Sequence, residues 1–244
     1  MPVARPLLAA IAFLTRLPVG RFVELGAEDV ARGAPLFPLV GAAVGAAGAG
    51  IALLLAPPLD PFPAAAVAVC GTTLLSGAFH LDGLADTFDA TGGFDRERSL
   101  EIMRDSRIGT YGAAAVALAL LVRVGAVAQL LAGGGVLGGL IAAGAVSRGA
   151  AVALSGTLPY AREAPGTGGV LTGRAGLWGI PVALVVALAA AQLEGLAVAG
   201  TAALVGLGAW IAFRRWLGGV TGDALGATSE VAELTALLVA AALV

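Results

Sequence analysis

Residues 111–132 read YGAAAVALALLVRVGAVAQLLA and residues 136–158 read VLGGLIAAGAVSRGAAVALSGTL, with only Gly133-Gly134-Gly135 between them. Both runs are almost entirely apolar, and each is long enough to cross a bilayer, which takes about 20 helical residues. Three consecutive glycines are a turn signal. The pattern predicts a hairpin of two transmembrane helices and places the chain among integral membrane proteins.

Five further apolar segments repeat this pattern, at 36–56, 62–80, 176–193, 196–213 and 225–244. Of the 244 residues, 59% are hydrophobic and only 12% are charged. A soluble domain averages roughly 25% charged residues, so this chain has too few charges to cover a water-facing surface. We therefore expect an all-α, polytopic membrane bundle of about six or seven transmembrane helices, forming a single domain over residues 1–244. Pro6 to Gly20 is expected to form a short interfacial or re-entrant helix.

The arginines are distributed unevenly along the chain. All 14 basic residues are Arg, and those outside the apolar segments lie before the first segment or in every second connection. They are Arg5, Arg16, Arg21, Arg32, Arg96, Arg98, Arg104, Arg107, Arg162, Arg174, Arg214 and Arg215. The positive-inside rule makes that side cytoplasmic, which predicts the N-terminus inside and the C-terminus outside. Most acidic residues follow the same side, so polar chemistry is expected at the cytoplasmic face.

The densest polar stretch follows the segment 62–80 and reads HLDGLADTFD at 80–89. Asp82, Asp86 and Asp89 are four and three residues apart, which places three carboxylates on one face of a helix. Carboxylate oxygens are the ligands that hard divalent cations prefer, and Mg²⁺ usually binds one or two carboxylates together with substrate phosphates. The stretch therefore indicates a magnesium site. The alternative is an acidic helix end exposed to solvent.

A second acidic group lies near the C-terminus, where residues 221–230 read TGDALGATSE. Asp223 and Glu230 are seven residues apart and share a helix face. Glu230 falls inside an apolar segment, where an ionisable residue indicates function by default. We predict that both acids complete the metal site with the first group. The alternative is that Asp223 caps the last helix and Glu230 pairs with an arginine.

Two pairs of arginines and the only histidine could contact a phosphate-containing substrate. Arg104 and Arg107 are three residues apart and could hold a phosphate with forked hydrogen bonds, or they could anchor the loop at the membrane. Arg123 and Arg148 each lie roughly 18 Å deep in their segments. They pair with Glu230, line a wet cavity, or contact an anionic substrate; the sequence leaves these three alternatives open. The only histidine, His80, could bind phosphate or form a helix-end hydrogen bond.

Taken together, these stretches resemble the cobalamin synthase family, adenosylcobinamide-GDP ribazoletransferase. The resemblance rests on FLTRLPV at 13–19, FPLVG at 37–41, HLDGLAD at 80–86, MRDSRIGTYG at 103–112 and GVTGDALGA at 219–227. They occur in the family's order and extend over nearly the whole chain. One departure is Ala90, which follows Asp89 where the family often has glycine.

The resemblance implies the last assembly step of the cobalamin nucleotide loop, at a bacterial inner membrane. The hydroxyl of α-ribazole, or of its 5′-phosphate, attacks the cobinamide-linked phosphate of adenosylcobinamide-GDP, and GMP leaves. Mg²⁺ is the implied cofactor, with Asp82, Asp86, Asp89, Asp223 and Glu230 as ligands. Asp86 or Asp89 would accept the hydroxyl proton. The residues that would bind substrate are His80, Arg104, Arg107, Arg148 and Thr221.

Two other functions were weighed against this one. A CDP-alcohol phosphotransferase also uses membrane aspartates, but its motif places Arg where Asp86 stands here. An ion-coupled transporter often has repeated halves and broken helices near the midplane, and no repeat is visible. Nothing in the sequence indicates a nucleic-acid-binding face, and Cys70 alone excludes an intrachain disulfide. A homo-oligomer, or association with other cobalamin-assembly enzymes, is left open.

Overall fold

The computed structural model describes residues 4–163, 167–173 and 176–244. Within these ranges the chain forms helices joined by short connections, with one isolated bridge between Tyr160 and Val220. The helices are α1 (Ala4–Leu14), α2 (Ala27–Gly33), α3 (Phe37–Leu55), α4 (Pro61–Ser76), α5 (Phe79–Ala90), α6 (Arg96–Ile102), α7 (Thr110–Ala132), α8 (Val136–Thr157), α9 (Gly179–Ala191), α10 (Glu194–Trp216) and α11 (Gly222–Ala242). The predicted all-α class is confirmed.

Five stretches are long and apolar enough to cross a membrane, and a sixth is obtained if α4 and α5 are counted together. The first of the five joins α2 to α3, and the others are α7, α8, α10 and α11. The chain is therefore a multi-pass membrane protein, as expected. The segment 176–193 forms only α9, whose 13 residues extend roughly 20 Å. That length is short of the ~30 Å hydrocarbon core.

The predicted span 62–80 is corrected, because the helix breaks before it ends. Gly77 and Ala78 both adopt positive φ, at 65° and 58°, and α5 leaves the axis of α4 at 87°. Left-handed backbone at two successive residues cannot continue a right-handed helix. The N–H of Arg16 donates to the carbonyl of Leu75 at 2.7 Å, which fastens the segment after α1 to the end of α4. As a result α5 runs at about a right angle to α4, against the starts of α7 and α11.

Small residues set the contact between α3 and α8, the central helix of the bundle. A Cβ added to Gly41 would lie 2.1 Å from the carbonyl oxygen of Gly144, and one added to Gly45 would lie 2.1 Å from that of Leu140. The two backbones therefore touch. Close approach of this kind gives membrane helices their packing energy, because lipid offers no hydrophobic drive between them.

Gly45→Ala is expected to destabilise the protein by about 1–3 kcal/mol, because the added methyl group forces α3 away from the backbone of α8. Gly50→Ala is the matched control on the same helix, since nothing lies within 4 Å of its Cβ position. Thermal unfolding in detergent compares the two. An equal melting temperature for the Gly45 and Gly50 variants would contradict the close packing.

The arginine-bearing connections meet at one end of the bundle. The side chain of Arg96 donates to the carbonyl of Leu217 at 2.8 Å and to that of Ala161 at 2.7 Å. The N–H of Ala161 donates to Val220 at 2.9 Å. These hydrogen bonds join the connections that follow α5, α8 and α10. The start of α11 lies beside them. Arg174, predicted to lie on the same side, is outside the described residues.

Candidate active site

Helices α5 and α11 cross in backbone contact, and this crossing brings the two acidic groups together. A Cβ added to Gly83 would lie 2.8 Å from the carbonyl oxygen of Asp223 and 3.2 Å from the Cα of Gly226. The spacing of Asp82, Asp86 and Asp89 is helical over the whole stretch, because α5 runs from Phe79 to Ala90. The stretch 82–89 and Asp223 therefore approach each other at this crossing, whereas the metal site predicted to join the two acidic groups is untested.

Gly83→Ala should separate the two helices, because the methyl group would meet backbone atoms that cannot rotate away. We expect a loss of about 1–3 kcal/mol in stability and, since misplacement by about 1 Å can cost a hundredfold, a strong loss of turnover. Gly226→Ala faces the same crossing, but its Cβ would meet only ordinary contacts at 3.4–3.7 Å. The Gly226→Ala variant should therefore keep the stability and the turnover of the wild type. Melting temperature and product formation, measured side by side, decide this prediction.

Asp223 lies in the first turn of α11 and forms an ion pair with Arg162. The Arg162 guanidinium donates to the Asp223 carboxylate at 2.7 Å, and both side chains are mostly buried. The Nε of Arg162 is buried without a hydrogen-bond acceptor in the described part of the chain. An arginine with spare donors thus lies beside the carboxylates. From the sequence, Arg162 is expected only as a loop arginine, so its position beside Asp223 is not predicted.

Thr221 precedes Asp223 and caps α11. Its hydroxyl oxygen accepts a hydrogen bond from the N–H of Ala224 at 3.1 Å, and the side chain is fully buried. The predicted contact of Thr221 with substrate is therefore not supported by the geometry. Capping of this kind contributes about 1 kcal/mol to the helix and fixes the direction from which Asp223 projects.

Asp86 lies half-buried in the middle of the acidic face. Burial, followed by the negative charges of three neighbouring carboxylates, raises the pKa of Asp86 from its ordinary value to about 7. In order of decreasing effect, the three are Asp223, Asp82 and Asp89. Arg162 offsets only part of this negative charge. A cation with oxygen ligands would relieve the repulsion, so the donor set fits Mg²⁺ in its chemistry.

Among residues 4–163, 167–173 and 176–244, no three His, Cys, Asp or Glu side chains lie close enough to form a complete metal site. Asp82 is exposed, and no ion pair within the same ranges involves it. A Mg²⁺ ion commonly uses only one or two carboxylates, with water and substrate phosphates supplying the other ligands. The magnesium assignment therefore stays a prediction, and the ion would take its other ligands from water and substrate phosphate.

The Asp89 carboxylate is hydrogen-bonded to the start of α7. Its two carboxylate oxygens accept hydrogen bonds from the N–H of Gly109 at 2.6 Å and of Gly112 at 2.8 Å. A Cβ on either glycine would lie 2.4 Å from that carboxylate, which explains why the stretch Gly-Thr-Tyr-Gly has glycine at both ends. A carboxylate at a helix N-terminus also interacts favourably with the helix dipole. Asp89 thus links α5 to α7, and its predicted metal and catalytic roles are untested.

Arg104 and Arg107 lie in the loop that ends at Gly109 and are both exposed. Arg107 forms a close ion pair with Asp105, Nη2 to Oδ2, at 2.5 Å. The hydrogen bond of Gly109 to Asp89 ties this loop to the acidic helix. Both arginines are therefore accessible on a loop that is tied to Asp89, and their predicted phosphate-binding role is untested.

The deep arginines pair with acids of α11, away from the carboxylate cluster. Arg123 donates to Glu230 at 2.5 Å, and its guanidinium lies 3.4 Å from Glu233. Arg148 forms an ion pair with Glu233 and lies 3.4 Å from Nδ1 of His80. Of the alternatives left open, pairing with Glu230 is confirmed for Arg123. Because Glu230 pairs with Arg123, the structure does not bring it to the acids of α5, where it was predicted to complete the metal site.

The same network changes the interpretation of two predicted substrate ligands. His80 and Arg148 are buried, with 7% and 6% of their surfaces exposed. His80 belongs to the first turn of α5, and its contact with Arg148 joins that turn to α8. Glu233 was not assigned a role by sequence reasoning, although its spacing of three from Glu230 places both acids on one helix face.

The comparisons with known proteins agree on one family. The family described as cobalamin-5-phosphate synthase matches residues 6–241. A protein of Klebsiella pneumoniae subsp. pneumoniae, named adenosylcobinamide-GDP ribazoletransferase, is 42% identical over 238 residues, which cover 94% of this chain and 96% of that protein. Proteins of the same name from Ralstonia nicotianae and Shigella flexneri are 42% and 40% identical, over 96% and 94% of this chain and 94% and 96% of their own length. No solved structure matches the chain with statistical significance.

Proposed function

This chain belongs to the cobalamin-5-phosphate synthase family, and we propose that it transfers the adenosylcobinamide phosphate moiety from adenosylcobinamide-GDP to α-ribazole or its 5′-phosphate. The products would be GMP and adenosylcobalamin or its phosphate. The observation that carries this proposal is the crossing of α5 over α11. It sets Asp82, Asp86 and Asp223 beside an arginine at one end of a membrane bundle. The CDP-alcohol phosphotransferase and transporter alternatives are not favoured.

The reaction needs charge neutralisation and alignment more than covalent chemistry by the protein. The α-ribazole hydroxyl oxygen forms a bond to the cobinamide-linked phosphorus, and the bond from that phosphorus to the GMP oxygen breaks. Mg²⁺ bound at the face that carries Asp82, Asp86 and Asp223, with one or two of their carboxylates as ligands, would supply positive charge for the pyrophosphate. The hydroxyl proton passes to a carboxylate of the same face.

Asp86 suits the role of proton acceptor better than Asp89. Both oxygens of Asp89 already accept backbone hydrogen bonds from the start of α7. No side-chain or backbone donor of the described residues is similarly engaged with Asp86, whose interactions are with the neighbouring charges. Asp89 would then act by holding α7 and the arginine loop against α5.

Arginine donors surround this face and would hold the phosphate oxygens. Arg162 has a buried Nε without an acceptor and lies against Asp223. Arg104 and Arg107 are exposed on the loop tied to Asp89. Forked hydrogen bonds from arginine to phosphate are among the strongest polar contacts in proteins. They would orient the pyrophosphate so that GMP leaves opposite to the attacking hydroxyl.

The arginine-bearing end of the bundle indicates on which side of the membrane the reaction takes place. The hydrogen bonds of Arg96 support a common face for the arginine-bearing connections. With the positive-inside rule, this face is the cytoplasmic side of a bacterial inner membrane, the N-terminus is inside and the C-terminus is outside. Reporter fusions at the two ends test the orientation. A C-terminal fusion active in the cytoplasm would contradict it.

The direct test is release of GMP by purified protein in detergent. The protein, adenosylcobinamide-GDP and α-ribazole should give GMP and a cobalamin product with Mg²⁺ and none after chelation by EDTA. Omission of α-ribazole is the control for simple hydrolysis of the pyrophosphate. GMP release that does not depend on α-ribazole, or no product with either form of α-ribazole, would contradict the proposed transfer. Activity that persists after chelation would contradict the magnesium assignment alone.

A further inference from the structure

A large apolar groove lies between α8, α9 and α10, away from the carboxylates. Its volume is about 680 Å³, within the ~300–1,000 Å³ typical of small-molecule sites. The only hydroxyl in its lining is that of Thr157, and this group already donates to the carbonyl of Ala153. Apart from the indole N–H of Trp210 at one end, the groove therefore offers no free polar side chain and suits a hydrocarbon.

The groove follows α10 from Leu196 to Trp210, a rise of roughly 21 Å. One leaflet of the hydrocarbon core is about 15 Å thick, so the groove is deep enough for an acyl chain that enters at either face. It exists because the facing positions of α10 are small and because α9 is short. The small positions are Ala199, Gly200, Ala202, Ala203 and Gly206.

The end of the groove at the arginine-bearing face is positively charged. The guanidinium carbon of Arg214 lies 5.0 Å from the centre of the Trp210 ring, which lines the groove. Arg214 and Arg215 are both exposed in the last turn of α10. None of the ion pairs formed within the described parts of the chain involves either arginine. Arg214 therefore lies where a lipid headgroup would bind, and Arg215 adds a second accessible cation at the same depth.

We propose that the groove holds an acyl chain of an anionic phospholipid, whose phosphate binds Arg214 and Arg215. Basic pockets between transmembrane helices at the cytoplasmic face are known to bind anionic headgroups. Tryptophan at the same level is typical of the membrane–water interface. The inference depends only on the membrane bundle and is independent of the proposed enzymatic activity.

A second copy of the chain fits this surface less well. Two copies inserted in the same orientation and related by a two-fold axis would place the same patch of each against the other. Arg214 and Arg215 of both copies would then approach each other at one depth. The like charges of the two copies would repel each other, whereas a phosphate at the same position would attract the arginines.

The test uses the full chain in nanodiscs of phosphatidylcholine with and without phosphatidylglycerol, followed by native mass spectrometry of the extracted protein. The wild-type chain should retain phosphatidylglycerol in preference to phosphatidylcholine, and phosphatidylglycerol should raise its melting temperature. The double variant R214Q/R215Q should lose roughly thirtyfold in this preference, equivalent to about 2 kcal/mol. The variant R21Q/R32Q removes the same charge elsewhere and should behave as wild type.

A second pair of variants tests the groove without touching the arginines. Gly200 and Gly208 both lie on α10 with nothing within 4 Å of the Cβ position, but only Gly200 lines the groove. Gly200→Leu should therefore displace the lipid, whereas Gly208→Leu should not. Equal retention by all variants, or equal loss from R21Q/R32Q, would overturn the proposal. So would a wild-type dimer without lipid that becomes a monomer in Gly200→Leu, because that result assigns the groove to a second copy.

Discussion

Asp82→Asn is expected to abolish GMP release while leaving membrane insertion and melting temperature unchanged. Asp82 lies exposed in the first turn of α5, so its replacement by an amide of the same shape leaves no buried group without a partner. The carboxylate would contribute charge to the bound Mg²⁺, and stabilisation of the transition state by a metal ion is worth several kcal/mol. Because each 1.4 kcal/mol is a factor of ten, the expected loss is on the order of a thousandfold.

The measurement is the rate of GMP release at saturating substrates over a titration of Mg²⁺. A loss of metal affinity predicts that the residual rate needs a higher Mg²⁺ concentration than the wild type. Asp60→Asn is the matched control, because Asp60 is an exposed acid just before α4, at the opposite end of that helix from α5. Normal turnover by Asp82→Asn at ordinary Mg²⁺ concentrations would remove the residue from the site.

The acidic face was predictable because it depends on local geometry alone. Asp82, Asp86 and Asp89 share a face on any helix with 3.6 residues per turn, and the observed helix includes all three. Their approach to Asp223 was also inferred correctly, from the common side of the membrane. The close contact that produces it was not predictable, since it depends on Gly83 meeting the backbone of α11.

The partners of the charged groups were harder to predict than their positions. Arg162 lies in a connection, where an arginine usually serves as a membrane anchor, and its contact with Asp223 joins residues 61 positions apart. The spacing of Glu230 and Glu233 is visible in the sequence, but which arginine meets which acid depends on the packing of α7 and α8 against α11. The double acceptor role of Asp89 likewise depends on where the loop before α7 ends.

The break between α4 and α5 could not be predicted from the sequence either. Hydropathy is continuous from 62 to 80, so a single span is the natural prediction. Gly77 is a signal for left-handed backbone, but Ala78 adopts the same conformation without one. The segment after α1 packs against this turn, because the N–H of Arg16 donates to Leu75 and a Cβ on Gly77 would meet the side chain of Arg16. The turn of 87° is what lays the carboxylates across the end of the bundle.

Glu233→Gln is expected to destabilise the protein by about 3–5 kcal/mol, the range measured when one partner of a buried ion pair is removed. Glu233 is the carboxylate that pairs with Arg148, and it also lies 3.4 Å from Arg123. Arg148 has only 6% of its surface exposed, so the variant would leave a buried cation without a counter-charge. Thermal unfolding in detergent should show a large decrease in melting temperature. Glu194→Gln, at the exposed start of α10, should show none.

The double variant Arg148→Met/Glu233→Met separates the cost of an unpaired charge from the value of the pair itself. Two apolar side chains of similar length avoid the desolvation of both charges, and such replacements are often neutral or stabilising. The double variant should therefore recover most of the stability lost in Glu233→Gln. Its GMP release should stay low, because Arg148 lies 3.4 Å from His80, which belongs to the first turn of α5, and the variant loses this contact. Recovery of both properties would mean that the pair contributes to folding alone and has no part in positioning the acidic helix.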